Sequence, residues 1–517
     1  MPAPTTFNAT NYLLDRNLAE GRGDRTAVVS TSRSLTYAEL FAEVRRTAGA
    51  LRELGVRPEE RVMMCLGDDI ELFVSILATM HLGAIAVPTS TMLTEPELSD
   101  LVVDSRARVM LTAPMFEDTA GRAARKAPDI EHVVDVSRGF SGEPVDESYP
   151  TWADSPALWL YTSGTTGRPK AAMHRHADIR TVAENYGQRV LGIGPGDRCL
   201  SVAKLFFAYG IGNSMFFPMS VGATAILDER RPNPALFAER VRDERVTLFF
   251  GTPSFWAPLL ASDVPDDAFS TVRQGISAGE ALPSRLYHGV LDRFGVEVLD
   301  GIGSTEMLHI FVSNRPGQVH PGSSGTVVPG YDVEIRDATG APIEGAGIAG
   351  ELYVRGDSAA IGYWCRAEAT RRVFHGEWMQ TGDTYVRNSD GSLSCLGRFN
   401  DMLKAGGIWV SPAEVEDRLL EHPAVAEAAV VAAPDADALD KPVACVVPVP
   451  GHQVDGEELI GWCRETLAAF KRPRAVVEVA ELPKTATGKI RRNVLRELVS
   501  TSLLEVPAKE PVDAPAG

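Results

Sequence analysis

Tyr161-Thr-Ser-Gly-Thr-Thr-Gly-Arg-Pro-Lys170 crowds hydroxyls, two glycines and a closing lysine into one short stretch. That is the chemistry of a phosphate clamp. Gly164 and Gly167 let successive backbone N–H groups approach an anion, Thr162, Ser163, Thr165 and Thr166 add donors, and Lys170 supplies full positive charge. A nucleoside triphosphate is the expected ligand. The spacing G-x-x-G-x-x-K is not that of a P-loop, and Ala171 stands where a P-loop needs its magnesium-binding Ser or Thr. A kinase or GTPase of that class is disfavoured. Taken alone, the stretch also reads as a solvated linker.

Outward from this loop, strand and helix patterns alternate from about residue 36. Leu40, Val44, Ala48 and Leu51 share one helical face, 61–65 and 84–87 read as strands, and 97–104 suits a helix. The most apolar window, 73–87, is too short to cross a bilayer and reads as a buried helix running into a strand. The alternation recurs over 180–300, where 246–250 and 296–299 are β-rich runs ending in glycine-bearing loops, the place where open α/β sheets bind substrates. Past residue 320, Gly- and Asp-rich turns separate short alternating segments, including a hairpin turning at Asp390-Gly391. Beyond Arg398 the pattern is mixed again, with helices at 412–420 and 457–467 and strands at 425–432, 443–447 and 475–479. The expected fold class is α/β: parallel-sheet subdomains and a small β-rich subdomain (about 320–397) in a domain over 1–398, then a small mobile α+β domain over 399–500 and a disordered tail at 501–517.

The chain of 517 residues is long enough for two or more domains and a buried active site. A net charge of −18 argues against a nucleic-acid partner. Anionic substrates must be met by local basic clusters, at Lys170, Lys404, 471–474 and 489–492, although such runs also occur as plain solvated faces. Six scattered cysteines without a C-x-x-C pair suit reduced thiols, and the N-terminus lacks a secretion pattern, so a cytoplasmic protein with no membrane partner is expected.

Further motifs follow at 36–40 (TYAEL), 303–306 (GSTE), 350–356 (GELYVRG), 381–383 (TGD), 397–407 (GRFNDMLKAGG) and 482–490 (LPKTATGKI). In this order, across most of the chain, they resemble the signatures of the acyl-adenylate-forming superfamily of acyl-CoA synthetases, nonribosomal adenylation domains and firefly-type luciferases. The resemblance implies two steps: a carboxylate attacks the α-phosphate of ATP to give acyl-AMP and pyrophosphate, and a thiol then takes the acyl group. It assigns Lys489 to the first step and Lys404 to the second, with Lys170 and Thr305 as phosphate contacts. Glu306 would hold Mg²⁺, which favours one or two carboxylates plus phosphates. Asp383 and Arg398 would grip the ribose, and Ser277, Ala278, Gly279, Glu280, Asp300, Gly301 and Ile302 would line the adenine. Read from the residues alone, Lys489 is equally an exposed turn lysine, Glu306 part of a helix start, and Asp383 a turn residue.

The resemblance also implies rotation of the C-terminal domain between the steps. Asn400 stands at the hinge position, usually Asp or Lys in the family, and Gly406 and Gly407 would let a pantetheine arm pass. Stretches 204–212 (KLFFAYGIG) and 306–311 (EMLHIF) are similar to the benzoate-CoA ligase branch. By that likeness Phe207 is the gate of an aryl pocket, Ala208 and Tyr209 a wall, Gly303 the space for a flat ring, and His309 the far end. An ordinary aromatic core with a satisfied histidine is the competing reading. CoA would dock at Lys471, Arg472 and Arg474 or at Arg491 and Arg492 by charge attraction. The expected activity is that of an aryl-CoA ligase acting on a small aryl acid, as monomer or homodimer. The alternatives are an adenylating enzyme that loads an acyl carrier protein, a luciferase-like oxygenase sharing Lys404, and a silent sensor of acyl-adenylates.

Overall fold

Strands Arg61–Cys65, Leu248–Gly251 and Gln274–Ser277 bury nearly every side chain, as strands covered on both faces must. They lie in the centres of two sheets of a computed structural model that describes residues 5–163, 169–398, 403–405, 408–410, 412–434, 440–467, 471–484 and 490–504. The six-stranded sheet runs His132–Asp135, Val109–Thr112, Arg61–Cys65, Ile85–Pro88, Pro156–Ser163, Pro169–Arg175. All its pairings are parallel except the last, a hairpin in which Thr162 faces Lys170. The nine-stranded sheet has six parallel strands, among them Leu248–Gly251, Gln274–Ser277 and Val298–Gly303, with antiparallel strands at both edges.

Helices pack as the periodicity requires. Leu40, Val44, Ala48 and Leu51 are wholly buried on helix Tyr37–Glu53. The TYAEL motif opens this helix as a capping box: Thr36 Oγ accepts from Glu39 N–H, and the Glu39 carboxylate accepts from Thr36 N–H. Helix Ile70–His81 is buried almost throughout and leads into Ile85–Pro88, as expected for 73–87.

The chain separates into two compact units. One comprises Met1–Glu334, Tyr353–Thr381 and Asn388–Ser394, and the other Ile335–Leu352, Gly382–Arg387 and Cys395–Gly517. In the second unit, strand Val425–Pro434 pairs antiparallel with Asp440–Pro448, which pairs parallel with Ala475–Glu478. Side chains alternate between two faces. Val430, Val446 and Ala444 meet helices Pro412–Leu420 and Gly456–Arg464, while Ala429, Val431, Val443 and Cys445 meet Leu495 and Val499 of helix Arg492–Leu504. That last helix corrects the expected tail: its backbone continues through residues 501–504, so the boundary at 500 falls inside an element. The apolar pair Leu495 and Val499, four apart, is the sequence signal of this helix.

Candidate functional site

Strands Pro156–Ser163 and Pro169–Arg175, on either side of the candidate phosphate loop, pair antiparallel, whereas a P-loop stands between a strand and a helix. Thr162 and Lys170 sit opposite each other at its base. Residues Gly164, Thr165, Thr166 and Gly167 lie outside the described residues, and of Ser163 only the strand backbone is described.

Two neighbouring parallel strands supply the expected adenine side. Gln274–Ser277 continues into Ala278, Gly279 and Glu280, and Val298–Gly303 carries Asp300, Gly301 and Ile302, with Ser277 and Asp300 in register. Both side chains are buried, yet Ser277 Oγ and Asp300 Oδ1 have no hydrogen-bond partner among the described residues. Burial drives the Asp300 carboxyl well above the usual carboxylate range, although the N–H groups of Leu282 and Gly301 pull the other way. A buried polar atom left unpaired is costly, which makes this pair a candidate for contact with a bound ligand.

The chain turns sharply after Gly303. Ser304 caps a single turn, Thr305–Met307, Leu308 takes a left-handed φ of 66°, and Ile310–Ser313 returns antiparallel. A Cβ on Gly303 would lie 2.6 Å from the His309 carbonyl oxygen. Room for a flat ring is thus not the whole reason for this glycine, because the close return of the backbone demands it. Thr305 and Glu306 are half-buried on the turn. The turn is held from behind by groups the sequence reading missed. His174, fully buried, has Nε2 2.7 Å from the Thr305 carbonyl and Nδ1 3.1 Å from Asp178 Oδ2. Nothing in the isolated run 174–178 (HRHAD) distinguishes this pair from ordinary surface residues.

Phe207, Ala208 and Tyr209 begin a helical stretch packed beside the same turn. Tyr209 hydroxyl donates to the Gly251 carbonyl at 3.2 Å, and Phe206 meets Phe207 edge-on at 4.7 Å. His309 sits among Tyr186, Tyr209 and Phe217, with ring centroids 5.4, 5.5 and 4.5 Å away. Gly212 makes this possible, since a Cβ there would come within 2.3 Å of the imidazole. His309 Nε2 faces two acceptors, Asn213 Oδ1 at 3.1 Å and the Tyr209 carbonyl at 3.3 Å, and so carries the proton; Nδ1 has no partner among the described residues. Burial depresses the pKa of His309 to about 3, which leaves a neutral ring. The sign for stability follows: the unfolded histidine gains a proton below pH about 6.5 and the folded one does not, so stability is lost on acidification at about 1.4 kcal/mol per pH unit. The fall in Tm between pH 7.5 and 5.5 should therefore be smaller in His309→Leu, as scanning calorimetry would read.

The second unit holds the remaining candidates. Asp383 lies on strand Trp378–Arg387. Arg398 ends strand Leu393–Arg398, and Lys404 lies on strand Leu403–Ala405, their side chains being undescribed. Asn400, Gly406, Gly407 and Lys489 lie outside the described residues. The expected CoA cluster is partly committed elsewhere. Lys471 Nζ is 2.6 Å from Glu414 Oε1, Arg472 donates to the Leu467 carbonyl at 2.8 Å, and Arg492 pairs with both Glu416 oxygens at 2.6 and 3.1 Å. Arg474 and Arg491 are the exposed members.

Residues 15–364 match the family described as AMP-binding enzyme, and 414–489 match its C-terminal domain. The chain is 44% identical over 513 residues to the benzoate–CoA ligase of Thauera aromatica, covering 95% of this chain and 96% of that one. A crystal structure of a benzoate CoA ligase from Burkholderia xenovorans superposes with a TM-score of 0.89 at 41% identity, covering 95% of this chain and all of that one. That of the anthranilate CoA ligase AuaEII with anthranoyl-AMP superposes with a TM-score of 0.93 at 37% identity, covering 97% and 99%. With the signatures in order and these matches spanning most of its length, the chain belongs to the AMP-binding, acyl-adenylate-forming enzymes, in their benzoate-CoA ligase branch.

Proposed function

We propose that the protein joins a small aryl carboxylic acid to CoA at the expense of ATP, and that residues 300–309 organise the first step. One observation carries this reading. Within that short strand and turn stand Asp300, whose Oδ1 is buried without a partner among the described residues; Thr305 and Glu306, half-buried on the turn; and His309, a neutral ring inside an aromatic cluster. Nucleotide and aryl groups would thus be held by one piece of chain, which fixes carboxylate and α-phosphate close together.

In the first step an acid oxygen attacks the α-phosphorus, the P–O bond to the β-phosphate breaks, and pyrophosphate leaves. In the second the CoA sulfur attacks the acyl carbon and AMP departs. Asp300 Oδ1 suits the exocyclic amine of adenine, Thr162, Thr305 and Lys170 suit the phosphates, and the rings of Phe207 and Tyr209 suit an aryl face. Among the described residues no three His, Cys, Asp or Glu side chains cluster as a metal site. Magnesium would bind through the Glu306 carboxylate together with substrate phosphates, its usual arrangement, and would supply charge neutralisation there. No helix among the described residues is long and apolar enough to cross a membrane.

A panel of aryl and short aliphatic acids tests the proposal by pyrophosphate release, first with CoA and then with a phosphopantetheinylated carrier protein. Benzoate-type acids with CoA should give the highest kcat/KM. Preference for hexanoate over every aromatic acid would overturn the aryl pocket, and preference for the carrier would overturn CoA as acceptor.

A further inference from the structure

Between the phosphate hairpin and the Thr305–Met307 turn runs a segment, 358–364, that no motif had marked. It lies antiparallel along strand Pro169–Arg175: Ile361 N–H donates to the Met173 carbonyl at 2.9 Å, Met173 N–H to the Gly362 carbonyl at 3.0 Å, and Trp364 N–H to the Ala171 carbonyl at 3.0 Å. On its other side Ala360 N–H donates to the Glu306 carbonyl at 2.8 Å, and Ser358 Oγ to the Met307 carbonyl at 2.8 Å. The segment therefore staples the turn to the hairpin.

Tyr363 lies near the end of this staple, 5% exposed. Its hydroxyl donates to Glu306 Oε1 at 2.5 Å, and Lys170 Nζ sits 5.1 Å from its ring centroid. Burial, and next the Glu306 carboxylate, push the Tyr363 pKa up, so it remains a donor at neutral pH. The ring is backed by Phe374 at 5.8 Å. The adjoining residues are fixed by Asp104, whose carbonyl accepts from Trp364 Nε1 at 2.9 Å and whose carboxylate accepts from Arg366 at 2.5 Å and from Tyr161 at 2.9 Å. One aromatic side chain thus touches two site candidates that lie far apart in sequence.

We infer that Tyr363 is a positioning residue for the metal-nucleotide complex: its hydroxyl sets the Glu306 carboxylate and its ring seats the Lys170 ammonium before ATP arrives. This rests on Glu306 being the metal-holding carboxylate. A donor on Oε1 restricts the rotation of the carboxylate and leaves the second oxygen for a cation, and such outer partners commonly change metal affinity by about 10–100-fold. Seating an ammonium over a ring leaves its N–H donors directed elsewhere.

Tyr363→Phe removes the hydroxyl while keeping the ring, its packing and the cation–π contact. Mn²⁺ binding to the enzyme–ATP complex, followed by electron paramagnetic resonance, should weaken about tenfold. The affinity for AMP without metal, the KM for the aryl acid and the Tm should stay within about twofold or about a degree of the parent, and kcat should recover at saturating Mg²⁺. Unchanged Mn²⁺ affinity in Tyr363→Phe, with a large loss in Glu306→Gln, would overturn the inference and leave the Glu306 reading intact. Unchanged Mn²⁺ affinity in Glu306→Gln would overturn both. A lowered Tm with AMP, acid and Mn²⁺ binding all reduced together would mark Tyr363 as a packing residue and overturn the inference.

Discussion

Lys489→Ala should lower acyl-AMP formation on the order of 10²–10³-fold, as loss of one well-placed charge or donor in a transition state does, while supplied acyl-AMP is still converted to thioester. The transition state crowds negative charge around one phosphorus, and cations placed there before reaction are more effective than any that must reorganise. Lys489 itself lies outside the described residues, which resume at Ile490, paired with Lys484. Lys404 occupies a different setting, a strand paired with Ile408–Val410. Lys404→Ala should therefore show the opposite bias, with adenylation kept and thioester formation lost. Pyrophosphate exchange reads the first half-reaction and acyl-AMP consumption by CoA the second. Equal loss of both half-reactions in both variants would remove the ground for assigning the two lysines to separate steps.

Much of this architecture was legible because its signals are local. Strand 61–65, helix 412–420 and the hairpin at Asp390-Gly391 announce themselves through periodicity and turn chemistry. The candidate residues likewise carry compact motifs: Ser277 and Asp300 lie on paired strands, and Thr305, Glu306 and His309 on the turn that follows the second of them. The partners of those residues were not legible. Tyr363 reaches Glu306 across 57 positions, and His174 reaches the Thr305 carbonyl across 131, so no window on the chain contains both ends. Charge patterning in the second unit is likewise incomplete, because a run of cations announces a basic patch but not the carboxylates opposite. Glu414 and Glu416 lie on a helix distant in sequence from Lys471 and Arg492 and meet them only after folding.

Asp300→Leu should move substrate binding and stability in opposite directions. In the ligand-free protein Asp300 Oδ1 is a buried acceptor without a partner among the described residues, and its carboxyl pKa is raised by burial. A raised carboxyl pKa means that the folded protein keeps a proton that the unfolded chain releases above pH about 4, so this group costs stability increasingly as pH rises above that point. Leucine removes the cost. Tm measured without ligand at pH 7.5 should rise by a few degrees, and its decline with increasing pH should flatten. Binding should suffer, because the adenine amine would be buried without an acceptor at about 1–3 kcal/mol, raising the KM for ATP about ten- to a hundredfold and eroding discrimination against GTP. Asp300→Asn keeps a carbonyl oxygen in place and should restore most of the ATP affinity. Calorimetric Tm and pyrophosphate-release kinetics on the three proteins decide the matter. A Leu variant that loses both Tm and ATP affinity would show a structural carboxyl, whereas one that gains Tm and loses nucleotide affinity would show an acceptor kept unpaired for adenine.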